Sequence, residues 1–259
     1  MAQVNILADQ KNVLFLASGR GSNFQAFVDH LRLGVLKEVS IKALICNRPG
    51  APVVQRAREA EVPVFEIEGI AGKKFEPKEK RELARLAFDN ECISISKLYE
   101  IDYVILAGFD QVLTKSFVDN FPFRILNIHP AYDLQLFGGS NMVGSKVHES
   151  VIASGARYSG CSVHLVTSAV DQGPIISKKR VSVLHGDTAD SLAARILEQE
   201  HLVYPEAVQL LVDGRVIVSD SGARCYVDRY SGRWDLEWEE RQQSYIDFFT
   251  EEKRGRTDH

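Results

Sequence analysis

The chain has 259 residues, 25% of them charged and 45% from the apolar set AVILMFWYC, which excludes disordered and collagen-like classes. At ~100–200 residues per domain it makes one large domain or two small ones, and it can bury a core without metal or disulfide staples. Its net charge of −4 argues against a nucleic-acid partner held by phosphate neutralisation, but leaves room for a local anion pocket.

The N-terminus has no basic n-region, and its apolar run Val13–Ala17 is far short of the ~20 residues that span a bilayer. A cytoplasmic protein without a membrane partner is the expectation. Val13–Ala17 reads as a strand buried on both faces. Ser22 and Gln25 have capping-box spacing, with Ser22 at the N-cap, and Phe24, Phe27, Val28 and Leu31 mark one face of the helix that follows. Ile41–Cys46 is a second strand, Pro52–Glu61 a helix with Pro in its first turn, and Val62–Ile67 a third strand. This β-α-β-α-β alternation predicts an α/β fold, a doubly wound, mostly parallel sheet.

Residues 69–100 read as a charged, solvated helical face. Val104–Ala107 and Ile125–Pro130 are further strands, and 131–145 is a glycine-rich loop. Lys146–Ser154 is a short helix, Cys161–Thr167 and Ile175–Leu184 are strands, and Thr188–Val212 is a long amphipathic helix. Beyond Gly214 the pattern changes. Arg215–Val218 is a short strand, and Ala223–Val227 and Arg233–Trp238 flank a hairpin turn at Tyr230-Ser231-Gly232. Tyr245–Thr250 is apolar, and Glu251–His259 reads as a charged, frayed end. The four cysteines, Cys46, Cys92, Cys161 and Cys225, lack metal or disulfide spacing and read as free thiols.

Three motifs point to chemistry. Ser18-Gly19-Arg20-Gly21-Ser22-Asn23 joins a strand to a helix N-terminus, where free N–H groups and the helix dipole suit a phosphate. It is neither GxGxxG nor a Walker A sequence, and a ligand-free tight turn is the alternative. Asn127 and His129 are two apart on a strand and project together near its carboxyl end, an amide beside an imidazole. The plainer alternative is a histidine satisfied by nearby backbone. Asp171-Gln172-Gly173-Pro174 is a turn whose carboxylate could orient an imidazole or a water. His164 reads as structural or as backing a residue that touches substrate, Glu200 and His201 as lining a site or lying on the surface, and His148 as lacking an evident partner. No residue set has convincing metal spacing.

The stretches LASGRGSNFQAF (16–27), ICNRPGAPVVQRA (45–57), VILAGF (104–109), ILNIHPA (125–131), SGCSVHLVTSAVDQGPII (159–176) and EQEHLVYPEAV (198–208) occur in this order. Together they resemble the phosphoribosylglycinamide formyltransferases, the folate-dependent transformylases of purine synthesis, over residues 11 to about 213. The resemblance implies that Gly19, Arg20, Gly21, Ser22 and Asn23 cradle the substrate phosphate. Asn127, His129 and Asp171 match the catalytic triad. Pro130 and Glu200 would lie at the ribose and glycinamide. Asp110, Gln111, Val112, Leu113, Val166, Thr167 and Val170 fall in loops that surround the folate. The implied chemistry is direct attack of the substrate amine on the formyl group of 10-formyltetrahydrofolate, with no metal.

The chain departs from the family where Met-Arg usually follows AGF: here Asp110-Gln111-Val112-Leu113 follow. Ala131-Tyr132-Asp133-Leu134 stand where Ser-Leu-Leu-Pro is usual. By the resemblance, losing that Met and Arg changes the pocket where pterin and substrate meet, and both departures bear on folate affinity and substrate identity. Methionyl-tRNA formyltransferases would add a basic C-terminal barrel, but residues 214–259 carry 8 Lys/Arg against 10 Asp/Glu. Formyltetrahydrofolate deformylases would carry an N-terminal regulatory domain, but the first strand here begins at residue 13. A paralogue that binds folate or nucleotide without turnover is the non-catalytic alternative. The reading is a catalytic domain over 1–213 with an extension over 214–259, which holds seven of the 23 aromatic residues. So many aromatics predict an ordered strand or hairpin plus a short helix, packed on the core or on the second subunit of a homodimer.

Overall fold

The computed structural model describes residues 10–70, 73–77, 79–219, 222, 224–229 and 234–257. Five parallel strands come first: β1 (Lys11–Ala17), β2 (Val39–Cys46), β3 (Val64–Glu66), β4 (Tyr103–Leu106) and β5 (Ile125–His129). Two antiparallel strands, β6 (Tyr158–Leu165) and β7 (Ile175–Ser182), extend the sheet to the order β3-β2-β1-β4-β5-β6-β7. The expected mostly parallel, doubly wound sheet is present.

The uninterrupted apolar run of β1 is buried on both faces because side chains alternate across a strand. Val13, Phe15 and Ala17 join one core, against α1 (Ser22–Arg32), α2 (Pro52–Glu59) and α7 (Ala189–Val212). Leu14 and Leu16 join the other, against α3 (Glu79–Leu98) and α4 (Lys115–Asn120). The strand order reverses between β1 and β4, so the crevice for a ligand opens at the carboxyl ends of these strands.

Tyr204 of α7 is fully buried, and its hydroxyl lies 3.0 and 2.9 Å from the carbonyl oxygens of Leu106 and Leu126. It ties the end of β4 to β5 immediately before Ala107 and Asn127. A capping box between Thr188 and Ser191 starts α7.

Several local expectations are corrected. Ser22 is not the N-cap of α1. Gly21 takes that place in a left-handed conformation (φ 75°), with no side-chain cap. A Cβ on Gly21 would stand 2.4 Å from Val53 Cγ2, so α2 packs where only glycine fits. The loop 131–145 contains a single helical turn, α5 (Leu134–Phe137), capped by the Asp133 carboxylate, which accepts from Gln135 N and Leu136 N. The next helix is α6 (Ser145–Ala153).

The C-terminal segment differs most. The hairpin pairs β8 (Val216–Val218) with β9 (Cys225–Val227). Arg233–Trp238 is not its second strand, since Trp234 begins α8 (Trp234–Thr257), and Tyr230-Ser231-Gly232 lies outside the described residues. α8 is long rather than short and continues through the segment read as frayed. Trp234 and Trp238, four residues apart, stack in parallel at 5.6 Å on one helix face, where a strand would have placed them apart.

Candidate functional site

The carboxyl end of β5 supplies Asn127 and His129, and antiparallel pairing sets His164 of β6 directly opposite Asn127. Asp171 comes from the β6–β7 loop and adopts φ 55°, a left-handed conformation that aspartate tolerates better than most residues. The three residues expected to act together do meet. Asn127 Nδ2 lies 3.3 Å from Asp171 Oδ1 and 3.3 Å from His164 Nε2. His129 Nδ1 is 3.4 Å from Asp171 Oδ2, and His164 Nε2 is 3.4 Å from Asp171 Oδ1.

His164 is thus a fourth member of the cluster. Its Nδ1 lies 3.0 Å from the Leu165 carbonyl oxygen, and its Nε2 stands between the Asn127 amide and the Asp171 carboxylate. The sequence alone reads it as structural or as backing a site residue. The signal that could have promoted it is its β6 register opposite Asn127.

The strap 133–139 covers the cluster. His129 Nε2–H donates to the Phe137 carbonyl at 2.7 Å, and Gly139 N–H donates to Asp171 Oδ2 at 2.9 Å. A Cβ on Gly138 would sit 2.4 Å from the Leu134 carbonyl oxygen and 3.2 Å from Asp171 Cβ, so the glycine pair lets the strap approach the carboxylate.

Burial lowers the His129 pKa, against the opposing charge of Asp171 and the Phe137 hydrogen bond, so the ring favours its neutral form. Burial would raise the Asp171 pKa, but the hydrogen bond with His164, the His129 charge and the Gly139 N–H outweigh it and hold the carboxyl at about 2. The arrangement is a fixed anion beside an imidazole whose protonation that anion eases.

The glycine loop and α1 bring Asn23 to α7, where Asn23 Nδ2 donates to Glu200 Oε2 at 2.8 Å. Both side chains are buried, and Asn23 Oδ1 has no partner among the described residues. Desolvation raises the Glu200 pKa to about 7, and the Asn23 hydrogen bond only partly opposes this. The native state therefore holds a proton on Glu200 between about 4.5 and 7 that the unfolded chain has released. Stability linked to this group is full below the lower value and lost as pH rises to the upper one. Glu200→Gln removes that loss. Relative to wild type, the variant should gain on the order of 3 kcal/mol of stability between pH 4.5 and 7. Urea unfolding at both pH values checks this, and a constant difference would rule it out.

Of the loop residues expected around a folate, Asp110 and Gln111 turn toward β2 and β3. Asp110 Oδ1 accepts from Ser18 Oγ and Asn47 Nδ2, both at 2.9 Å, and its Oδ2 pairs with Arg48. Gln111 is buried and accepts from Ile70 N–H at 2.9 Å. Val112 is exposed, Leu113 is buried, and Val166 packs on the core shared by α3 and α4. Thr167 Oγ1 donates to the Ala169 carbonyl at 3.2 Å beside Val170, and Pro130 follows His129 directly at the end of β5. Among the described residues no group of His, Cys, Asp and Glu could hold a metal ion, and no helix is long and apolar enough to cross a membrane.

The formyl transferase family model matches residues 11–208. The phosphoribosylglycinamide formyltransferase of Escherichia coli (strain K12) is 34% identical over 82% of this chain and 92% of its own length. That of Bacillus subtilis (strain 168) is 32% identical over 78% of this chain and 95% of its own. The crystal structure of glycinamide ribonucleotide transformylase 1 from Symbiobacterium toebii superposes with a TM-score of 0.75 at 33% identity, covering 87% of this chain and 98% of that one. With fold, site and sequence agreeing over most of its length, this chain belongs to the formyl transferase family, among the phosphoribosylglycinamide formyltransferases.

Proposed function

We propose that the protein transfers the formyl group of 10-formyltetrahydrofolate to the amine of 5-phosphoribosylglycinamide, acting in the cytoplasm as a catalytic domain with a C-terminal extension. The observation that carries this reading is the junction of Asn127, His129 and Asp171 at the carboxyl end of β5, across the crevice from the glycine loop and Glu200.

The amine nitrogen attacks the formyl carbon, and the carbonyl pair moves onto oxygen. Asn127 and His129 donate to that oxygen, and one such preorganised donor is worth about 3–4 kcal/mol. Collapse re-forms the carbonyl and breaks the bond to folate N10, which takes up the proton lost by the amine. Asp171 stabilises the imidazolium and orders the water that carries this proton. The loop Gly19–Asn23 holds the phosphate on the uncapped N-terminus of α1, and Glu200 meets the ribose and glycinamide. The folate lies along 107–113, 131–145 and 166–173.

The purified chain supplied with both substrates should yield formylated nucleotide and tetrahydrofolate in equal amounts. Release of formate without nucleotide modification would identify a hydrolase, and turnover of neither substrate would overturn the enzymatic reading.

A further inference from the structure

The turn between β2 and α2 lies against the glycine loop. Val53 N–H donates to the Gly19 carbonyl at 3.2 Å, and Arg56 Nε–H donates to the Arg20 carbonyl at 2.9 Å. Within this turn Asn47 is buried, while Arg48 projects a guanidinium that is 60% exposed. Its partner Asp110 reaches over from the β4–α4 loop. Asp110 N–H donates to Ser18 Oγ at 2.9 Å, Oδ1 accepts from Ser18 and Asn47, and Oδ2 takes Arg48.

An isolated surface ion pair is worth little. This pair is different because buried Ser18 and Asn47 fix its carboxylate before Arg48 arrives. A guanidinium held in this way loses less freedom when an anion binds, and its remaining N–H donors suit phosphate geometry. Ser18 directly precedes the loop that leads to α1. There Gly21 gives no side-chain cap to the first N–H groups of α1.

We propose that Arg48, positioned by Asp110, is a specificity-determining residue that binds the phosphate of the substrate beside the glycine loop. The proposal rests on the phosphate-site reading above and adds to it a residue from a different loop. Asp110, which also accepts from Ser18 and Asn47, holds Arg48 in place and is a positioning residue.

The test uses the full chain and ribose 5-phosphate as probe, with ribose as control, followed by calorimetry. Arg48→Met should weaken ribose 5-phosphate binding about tenfold, the usual yield of one charge-assisted hydrogen bond, and leave ribose unchanged. In turnover it should raise KM for phosphoribosylglycinamide about tenfold, with kcat within about twofold and KM for the folate unmoved. Arg48→Lys should recover part of the loss. Asp110→Asn should weaken phosphate binding in the same direction by a smaller factor. A thermal melt of each variant excludes misfolding, and Arg48→Lys and Asp110→Asn carry the test if Arg48→Met does not fold. Unchanged phosphate binding in Arg48→Met or Asp110→Asn overturns the proposal. So does a rise confined to the folate KM, which would assign Arg48 to a folate carboxylate. The calorimetric arm needs no turnover, so absence of formyl transfer would sink the proposed function without deciding the role of Arg48.

Discussion

His129→Ala should lower kcat about a thousandfold and change stability by only about 1–2 kcal/mol, the scale of one lost buried hydrogen bond. The His129 imidazole, at the carboxyl end of β5 beside Asn127 and Asp171, can both donate to a developing oxyanion and carry a proton. Alanine leaves water to do both. The fold loses little, because the Nε2 bond to Phe137 spans only the strap. Asp171→Asn should also cost orders of magnitude, by a different route. The carboxylate stays ionised down to about pH 2, so it biases the ring toward protonation across the working range. Asparagine removes that bias and should drive the His129 pKa lower still, moving the acid limb of the rate profile to lower pH. Steady-state rates from pH 5 to 9, with melts of both variants, separate these effects from misfolding. Either variant turning over at the wild-type rate would remove the residue from the mechanism.

What could be read in the sequence was mostly local. The run Val13–Ala17, the glycine turn and the helical face of Phe24, Phe27 and Val28 carry their periodicity within a dozen residues. The antiparallel end of the sheet was harder, because β6 register depends on pairing between distant segments. The role of His164 follows from its place opposite Asn127, which no local pattern displays. The Phe137 contact uses a backbone carbonyl, so side-chain identity could not announce it. Asp110 and Gln111 lie in the loop after β4, and the direction of their side chains is set by Ser18, Asn47 and Ile70, which no local pattern displays. Gly21 rather than Ser22 is the N-cap, and the packing of Val53 that reserves position 21 for glycine comes from a distant segment. α8 was missed for a different reason: Trp234, Trp238 and Tyr245 are spaced for a helix face, but short windows around them look like strands.

That same face of α8 yields the largest expected loss of stability. Trp238 is 2% exposed and Tyr245 3%, and both lie over His30 on α1, the Tyr245 ring at a centroid distance of 3.8 Å. Arg241 donates to the Val35 carbonyl at 3.1 Å and Gln242 to the Leu202 carbonyl at 3.0 Å, so one helix fastens α1 to α7. These are the helices that bring Asn23 to Glu200. Trp238→Ala should therefore cost about 3–5 kcal/mol, the range for deleting a buried aromatic side chain, and lower the melting temperature by about 10 °C. The wild-type fold that this face completes should itself lose stability on acidification. Burial holds His30 at about 4 against an ordinary 6.5, partly opposed by its Nδ1–H bond to the Ala26 carbonyl and further lowered by His201. The unfolded chain thus takes up a proton in that window that the native state refuses, and stability falls as pH drops from 6.5 to 4. His30→Phe should flatten this slope while keeping the ring contact with Tyr245. Equilibrium unfolding of the two variants at pH 4.5 and 7 checks both claims. A cost below about 1 kcal/mol for Trp238→Ala would mean that the extension merely lies on the domain, since a buried core aromatic cannot be removed that cheaply.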